Sequence, residues 1–306
     1  MNDLGNVYPY RVRGGGFMKG TLYIVATPIG NTGDITGRAK RILSEADIVA
    51  AEDTRTTQIL FNILGIKNKT VSNHKFNEKH QADFLIAELE NGRDIALVSD
   101  AGTPCISDPG GFIVRAAAEH GINVVGVCGA SSIMTALSIS GLCSGPFAFY
   151  GFLPREPVEI RRAISRARKN GITASVFFES PKRIKKTLQV FYDEAPGSEL
   201  CLCNDMTKVH ERVYRGKPES IIDELNDNPA AEKGEYTLVA DLGTAPDTVA
   251  RSSQTHEGML VDYIVSQGCS LKEAVNALAA THKGGIAKKD LYAASLRLRG
   301  MFSNDT

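Results

Sequence analysis

Between Thr21 and Tyr150, short apolar runs alternate with amphipathic segments, and this alternation constrains the fold more than any other feature of the chain. The apolar runs are rich in Val, Ile and Ala and lack strict polar alternation, as expected of strands buried on both faces. They comprise residues 21–26, 47–51, 94–98, 122–127 and 147–150. Helical patterns fill the intervals, so the sequence predicts an α/β domain whose mostly parallel sheet is covered by helices.

The segment Gly151 to Pro154 interrupts this pattern, and a second set of elements follows it. Three helices are expected there: one at 159–169, one that starts from Ser180 with Pro181 as its first helical residue, and one near 218–226. The expected strands lie at 174–178, 199–204 and 235–242. Their uneven spacing favours a mixed sheet. We therefore predict a first α/β domain over residues 20–150 and a second α/β domain over residues 151–245.

The two ends of the chain differ from this α/β body. Residues 1–19 are polar and Gly-rich, which is typical of a disordered leader or of a remnant added to the native chain. Residues 246–306 are expected to form a linker and a small helical module, with a capping box at 270–273 and helices at 271–282 and 286–298. Two helices joined by a Gly-containing turn resemble a helix-turn-helix, although packing against the α/β body explains them equally well.

Composition and motifs argue against several classes of protein. No apolar stretch approaches the ~20 residues of a transmembrane helix, and the first residues lack the apolar core of a signal peptide. The six Cys form no Cys-x-x-Cys pair and the six His show no metal-ligand spacing, so we expect reduced, buried thiols and no metal site. These features favour a cytoplasmic protein.

Charge is balanced over the whole chain but is concentrated in one segment. Residues 155–186 hold ten Lys and Arg against three Glu, a net charge of +7 on a chain whose total is zero. Such a basic block favours contact with nucleic-acid phosphates over a merely solvated helix face. The residues assigned to RNA binding on this basis are Arg155, Arg161, Arg162, Arg166, Lys169, Lys182 and Arg183.

Stretches rich in Gly, Ser, Thr and acids follow the predicted strands of the first domain, at residues 26–39, 51–57, 99–110 and 129–142. Open parallel sheets bind ligands outside the carboxyl ends of their strands, so these stretches are expected to meet at one site. Asp100 can bind an amine or a ribose diol, and the helix that starts after Gly129 suits a carboxylate. The absence of G-x-G-x-x-G and of a P-loop argues against a pyrophosphate ligand. S-adenosylmethionine carries the required amine, carboxylate and hydroxyls.

Longer motifs add a resemblance to a known family. They are LYIVATPIGN, AEDTR, ALVSDAGTPCISDPG, TALSISGL, GFLP, ESPKRI and KGEYTLV, and the similarity extends to about Leu298. With these motifs the chain resembles the tetrapyrrole methylase superfamily of class III methyltransferases. The resemblance implies two α/β domains, S-adenosylmethionine in the cleft between them, and a homodimer. It is closest to the branch that methylates the 2′-hydroxyl of a cytidine in the decoding region of 16S rRNA.

Matched motif by motif, the resemblance assigns cofactor contacts to both domains. The residues are Pro28, Asp100, Ala101, Thr103, Ser131, Ser132, Phe152, Leu153, Glu179, Tyr236 and Thr237. The chain departs from the family pattern at Ala130, where Pro is usual, and at Asn204-Asp205, where Arg-Glu is usual. The first change keeps the backbone N–H groups of the following helix, whereas the second leaves no Arg or Glu side chain to act at these two positions.

Methyl transfer to a ribose hydroxyl needs positioning and a base that accepts the hydroxyl proton. The candidate bases are Asp53 and Glu52 in AEDTR, with Asp53 preferred, then His74 and Glu78, and last Lys208 and Glu211. Arg55 would pair with a phosphate or with one of these acids. An equally good interpretation of Asp53 and Arg55 is an ion pair that closes a loop.

The sequence thus predicts an S-adenosylmethionine-dependent 2′-O-methyltransferase acting on a cytidine of 16S rRNA in the small ribosomal subunit, with no membrane or metal partner. Two alternatives remain open. One is a methyltransferase of a small tetrapyrrole or of a modified protein residue. The other is a non-catalytic ribosome-binding factor that keeps the cofactor site as part of its fold. The basic block and the helical module favour RNA over the tetrapyrrole or protein substrate.

Overall fold

The computed structural model of the protein describes residues 19–243, 255–281 and 287–302. All but the last residue of the leader expected at 1–19, and most of the linker expected after residue 245, therefore lie outside the described residues. The chain divides after Gly243 into two compact units. Within the described ranges, no helix combines the length and apolar character needed to cross a membrane.

The first sheet of the larger unit has five strands, all parallel, in the order β3-β2-β4-β1-β5. The strands are β1 (Thr21–Val25), β2 (Ile48–Ala51), β3 (Thr70–Ser72), β4 (Ile95–Val98) and β5 (Asn123–Val127). The predicted parallel sheet is confirmed. The short strand β3 was not expected, because Thr70-Val71-Ser72 carries too little apolar pattern to mark a strand.

Helices α1 (Gly37–Glu45), α2 (Thr54–Leu64), α3 (Glu78–Glu90) and α4 (Gly111–Glu119) cover both faces of this sheet, and α5 (Ser132–Ser140) follows β5. Successive side chains of a strand point to opposite faces. Ile95 and Leu97 of β4 therefore join the core beneath α3 and α4, while Ala96 and Val98 join the core beneath α1 and α2. This two-sided burial explains why the strands lack polar alternation.

The second sheet has five strands in the order β6-β7-β10-β8-β9. Its strands are β6 (Phe147–Phe152), β7 (Ala174–Glu179), β8 (Glu199–Asn204), β9 (Arg212–Gly216) and β10 (Tyr236–Asp241). Only β6 and β7 pair in parallel, so the expected mixed sheet is confirmed. The strand expected at 147–150 at the end of the first domain is β6, which hydrogen-bonds to β7 of the second sheet. The change of sheet therefore falls before Phe147.

One face of the second sheet is covered by α6 (Pro157–Lys169), α7 (Ile184–Glu194) and α8 (Pro218–Asn226), and the other face by α5. Because α5 follows β5 of the first sheet and packs on the second, it ties the two sheets together. The helix expected to start at Ser180 begins instead at Ile184. The Ser180 hydroxyl accepts a hydrogen bond from Arg183 Nε at 3.1 Å and does not cap a helix N-terminus.

The smaller unit contains three helices in its described part, α9 (His256–Gln267), α10 (Leu271–Thr281) and α11 (Lys288–Phe302). The predicted capping box is confirmed: Ser270 N donates to Glu273 Oε2 at 2.8 Å, and Glu273 N donates to Ser270 Oγ at 3.4 Å. Helix α9 was not expected, since its first residues fall in a segment that was interpreted as linker. The helices share a core of Leu260, Ala274, Val275, Leu278, Leu291, Ala294 and Leu298.

Candidate active site

A cavity of about 410 Å³ lies between the carboxyl ends of the first sheet and the second sheet, a volume typical of small-molecule sites. Its strand-end wall consists of Ile29, Glu52, Asp100 to Thr103, Ile106 to Asp108 and Ser131 to Ile133. Its second-sheet wall consists of Phe152, Phe178 to Pro181, Met206 and Gly234 to Thr237. The site therefore stands where open parallel sheets place their ligands.

Two backbone features shape the strand-end wall. Thr27 and Gly102 exchange N–H···O bonds of 2.9 and 3.0 Å, which join the turn after β1 to the turn after β4. Gly102 has φ +79°, a conformation that favours glycine. The N–H of Gly102 is used in this bridge. Among the described residues, none accepts from the N–H of Ala101 or Thr103, so these two donors remain for a ligand.

The start of helix α5 offers a second set of donors. Ser131 is its N-cap, and the Ser131 hydroxyl accepts from Met134 N at 3.4 Å. The loop before it is fixed by a 3.1 Å bond from Thr103 Oγ1 to the Ala130 carbonyl. The free N–H groups of the first helical turn, together with the positive end of the helix dipole, suit a ligand carboxylate.

Three carboxylates, Glu52, Asp100 and Asp108, lie together on the strand-end wall. Asp100 Oδ1 accepts from Asp53 N at 3.1 Å, and Glu52 Oε2 accepts from Asp100 N at 3.4 Å. Burial raises the pKa of each of the three above its ordinary value. For Glu52, the negative charges of Asp108 and Asp100 raise the pKa further. Glu52 is thus the group on this wall that is best placed to accept a proton.

Asp53 and Arg55 are not among the residues that line the cavity, and they bind each other. Arg55 donates through Nε and Nη2 to the Asp53 carboxylate, with a closest approach of 2.6 Å. Asp53 also caps α2 by accepting from Arg55 N at 2.8 Å. Hydrogen bonds from Arg55 lower the pKa of Asp53 to about 2. This is the geometry of the alternative interpretation, an ion pair that closes the start of α2, and a carboxylate so held is a weak base.

On the second-sheet wall, the side chain of Glu179 is fully buried but fully partnered. It accepts from Ser180 N and from Thr187 Oγ1, each at 2.6 Å, and forms an ion pair with Arg183. Arg183 also donates to the carbonyl oxygens of Leu153 at 3.0 Å and of Pro154 at 3.2 Å. Because its charge is neutralised within the protein, Glu179 holds this wall together rather than offering a free carboxylate.

The remainder of the second-sheet wall is mainly apolar. Phe152 and Phe178 meet edge to face with ring centroids 5.4 Å apart. Met206 projects from a turn in which Asp205 and Thr207 have φ of +50° and +67°, conformations that non-glycine residues adopt at a cost. Lys208 holds this turn through 2.8 Å contacts with Asp205 and Glu235.

The structure brings most of the predicted cofactor residues together. Nine of the eleven line the cavity: Asp100, Ala101, Thr103, Ser131, Ser132, Phe152, Glu179, Tyr236 and Thr237. Pro28 does not, and its neighbour Ile29 does. Leu153 is buried in the core of the second sheet.

The predicted bases are more scattered, because Glu52 alone among them lines the cavity. Glu78 is buried and accepts from Gly110 N at 2.6 Å and from Phe112 N at 3.1 Å, so it caps the start of α4. His74 Nδ1 accepts from Phe76 N at 3.2 Å. Glu211 accepts from Thr207 N at 2.8 Å and supports the turn at Met206.

Sequence reasoning missed several cavity residues. Asp108 belongs to the quoted stretch 99–110, yet only its first acid was selected. Ile29, Ile106, Phe178 and Met206 give no polar signal, and their place in the cavity depends on how the two sheets face each other. A search of that stretch for every acid would have found Asp108, whereas the apolar residues carry no mark in the sequence.

The basic block divides into paired and free side chains. Arg161 binds Glu194 at 3.0 Å, Arg168 donates to the Glu194 carbonyl at 3.3 Å, and Arg183 binds Glu179. Arg162, Arg166 and Lys169, here called the α6 stripe, are spaced i, i+4, i+7 and so share one face of α6, where all three are exposed. Arg155 and Lys182 are exposed as well.

No group of three or more His, Cys, Asp or Glu side chains in the described ranges is arranged so that it could hold a metal ion. Cys201 and Cys203 lie on the same face of β8 with sulfurs 3.9 Å apart, and both are buried in the core. These two are small apolar core residues, as expected, whereas Cys128 and Cys143 are exposed and the expectation of buried thiols is wrong for them.

Comparison with known proteins identifies the family. The sequence profile of the tetrapyrrole (corrin/porphyrin) methylases matches residues 21–222. The chain belongs to the tetrapyrrole methylase family. It is 40% identical over 280 residues to Ribosomal RNA small subunit methyltransferase I of Halalkalibacterium halodurans, covering 90% of this chain and 94% of that protein. The protein of the same name from Bacillus subtilis is 36% identical over 277 residues, covering 89% and 93%.

Solved structures of this methylase family share the fold. The methyltransferase CobJ has a TM-score of 0.54 at 16% identity, over 74% of this chain and 95% of its own. Diphthine synthase has a TM-score of 0.55 at 14% identity, over 72% and 89%. At such identities the likeness concerns the fold alone, and it confirms the predicted tetrapyrrole-methylase architecture.

Proposed function

We propose that this chain uses S-adenosyl-L-methionine to methylate the 2′-hydroxyl of a cytidine in 16S rRNA of the small ribosomal subunit. The observation that carries the proposal is the pairing, in one cavity, of a carboxylate-binding helix start with a carboxylate whose pKa is raised, Glu52. The names of the relatives, at up to 40% identity over nearly the whole chain, support small-subunit rRNA as the substrate.

The cavity residues fit S-adenosylmethionine. The free N–H groups at the start of α5 would take its carboxylate, and Asp100 its ribose diol or its amine. The N–H groups of Ala101 and Thr103 are further donors, and Phe152 and Phe178 give flat apolar surface for a ring. This donor set contains no cluster of Lys or Arg, which agrees with a ligand that lacks phosphate.

When bound, S-adenosylmethionine supplies an electrophilic methyl group on a sulfonium. The protein must place a ribose hydroxyl in line with that methyl group and remove the hydroxyl proton. Glu52 would accept the proton, because its pKa is raised toward neutrality and it borders the cavity. Asp100 and Asp108 act on this step through their charges, which favour the protonated form of Glu52. The negative strand-end wall also attracts a cationic sulfonium.

The substrate would be held by the α6 stripe. Its three cations have no acidic partner in the described part of the chain, and their spacing on one helix face suits successive phosphates. Arg161 and Arg183 were assigned to RNA in the sequence, but their ion pairs make them supports of α6 and of the second-sheet wall. A homodimer, expected from the family resemblance, remains part of this proposal.

The test is methyl transfer from S-adenosylmethionine carrying a labelled methyl group to small subunits from cells that lack this chain. Nuclease digestion of the rRNA is expected to yield labelled 2′-O-methylcytidine. Label on a nucleobase or on ribosomal protein would contradict the proposal. Binding of both cofactor and subunit without any transfer would support the alternative of a non-catalytic factor. Parallel assays with free 16S rRNA would show whether the assembled subunit is required.

A further inference from the structure

The segment Asn73 to Asn77 leaves the edge strand of the first sheet at the carboxyl end, on the side of the cavity. Asn73 N donates to the carbonyl of Ala51 at 2.7 Å, so the segment begins beside the end of β2. Glu52, the proposed base, is the next residue after Ala51. The segment therefore starts next to the reacting edge, although its side chains do not line the cofactor cavity.

Side-chain hydrogen bonds fix the backbone of this segment. Asn77 Oδ1 accepts from His74 N at 2.7 Å, and Asn77 Nδ2 donates to the Ser72 carbonyl at 3.1 Å. Phe76 N donates to His74 Nδ1 at 3.2 Å. The turn is thus built from its own polar groups, and yet it holds the side chain of Phe76 96% exposed. A single exposed apolar residue is ordinary. Here, however, the turn that carries the ring is fixed by hydrogen bonds and starts beside the substrate site, so we looked for a ligand that would contact the ring.

The surroundings of Phe76 connect it to the cavity. Glu78, two residues later, accepts from Gly110 N, and Asp108, two residues before Gly110, lines the cavity. Two residues span at most about 7 Å of chain, so two such spans joined by the Glu78 side chain connect Phe76 to the cavity wall. Ile106 on that wall is 56% exposed and adds a second exposed apolar side chain.

Two cations flank the exposed ring. Lys75 precedes Phe76 and Lys79 follows it by three residues, and both side chains are exposed. Neither has an acidic partner in the described part of the chain. An exposed aromatic ring with free Lys side chains close to it in the chain is a combination that suits single-stranded nucleic acid, because each base offers a π-face and each phosphate a negative charge.

We propose that Phe76 is a stacking platform for an unpaired nucleobase of the rRNA substrate, with Lys75 and Lys79 contacting the neighbouring phosphates. This inference rests on the proposed function. A 2′-hydroxyl can reach an enclosed site only when its nucleotide is splayed out of the stack, and sequence-specific RNA recognition holds such bases on aromatic side chains. A protein partner fits less well, because one ring bordered by cations is not a broad apolar patch.

The experiment measures binding of a short single-stranded RNA and of an abasic oligonucleotide of the same length to the full chain, by fluorescence anisotropy. Phe76→Ala is expected to weaken binding of the RNA about 5- to 100-fold, the scale of one lost base–aromatic stack. It should leave binding of the abasic strand and of S-adenosylmethionine unchanged. Phe76→Trp should retain RNA affinity. Phe84→Ala, which truncates a partly exposed ring elsewhere on α3, is the matched control.

Methyl transfer to small subunits separates this inference from the function on which it rests. If wild-type protein methylates the subunits, Phe76→Ala should raise KM for them. Equal KM and equal RNA affinity in Phe76→Ala and wild type would overturn the platform and leave the function standing. If wild-type protein transfers no methyl group, the proposed function fails. The platform is then decided by the oligonucleotides, and equal loss of affinity for the RNA and the abasic strand would overturn it.

Discussion

The two walls of the cavity come from sheets of similar size, but the surroundings of their carboxylates are opposite in kind. On the strand-end wall, Glu52, Asp100 and Asp108 lie close together, and burial raises the pKa of each. On the second-sheet wall, Glu179 is more deeply buried, but Arg183, Thr187 and Ser180 satisfy it. The carboxylates of the strand-end wall therefore remain available to a ligand, whereas the carboxylate of the second-sheet wall is held by partners within the protein.

The difference follows from topology. The strand-end wall gathers turns from several parallel strands, so its polar groups converge on a ligand without belonging to a regular hydrogen-bond ladder. The second-sheet wall is made from the ends of β7 and β10, which pair antiparallel with each other, and it presents mostly apolar side chains. We infer that chemistry and polar recognition reside on the first wall, while the second supplies shape and excludes water.

The largest effect expected from this comparison is on catalysis. Glu52→Gln should lower the rate of methyl transfer about 10²- to 10⁴-fold, because a general base is lost while the shape of the site is kept. Cofactor affinity, measured by calorimetry, should change little. Asp53→Asn is the matched control, and we expect it to keep most of the activity. A reversal, with Asp53→Asn inactive and Glu52→Gln active, would move the base to Asp53.

Next in size is cofactor binding. Asp100→Asn should weaken binding of S-adenosylmethionine about 10- to 100-fold, the scale of hydrogen bonds to a charged group. Phe178→Leu on the opposite wall should weaken it less, since apolar contact is only reduced. Calorimetry on both variants gives the comparison directly. Similar losses of affinity in the two variants would show that both walls contribute equally to recognition of the cofactor.

Stability should separate the two buried acids. Thr187→Val removes one hydrogen bond from Glu179, so the free energy of unfolding should fall by about 1–3 kcal/mol, as measured by denaturant titration. Thr187→Ser should restore most of it. Glu52→Gln should be neutral or stabilising, because the raised pKa of Glu52 means that its ionised form is disfavoured in the folded state. Destabilisation by Glu52→Gln equal to that of Thr187→Val would remove the distinction.

A further prediction concerns the cations on the outside of the second sheet. Replacing Arg162, Arg166 and Lys169 together by Gln should reduce the slope of log affinity against log salt for small subunits by about 2–3. Arg161→Gln should leave the slope unchanged, because Arg161 already binds Glu194. An unchanged slope in the triple variant would show that the α6 stripe is only a solvated helix face.

The smallest predicted effect is on pH dependence. Activity should rise with pH as Glu52 loses its proton, with a midpoint above the ordinary glutamate pKa because burial raises it. Asp108→Asn removes a negative charge that raises the pKa of Glu52, so this acid limb should move to lower pH. A shift to higher pH, or none, would indicate that Asp108 does not act on the base.

Sequence alone predicted the strand-end wall better than the second. Asp100 and Ser131 could be found because parallel strands end at one edge, so position in the chain predicts position in space. Met206 and Phe178 could not be found, since they reach the cavity only through the packing of one sheet against the other. Arg183 was assigned to RNA for a similar reason: a local excess of charge does not reveal that a buried glutamate is its partner.

The most direct test of the two-wall account is a crystal structure of the full chain with S-adenosylhomocysteine. The account predicts the ligand between the two walls, its carboxylate within hydrogen-bond distance of the N–H groups at the start of α5, and Asp100 on its ribose or its amine. It also predicts that Glu179 keeps its bonds to Arg183 and Thr187. A ligand bound outside this cavity, or one held by the carboxylate of Glu179 while Asp100 stays free, would contradict it.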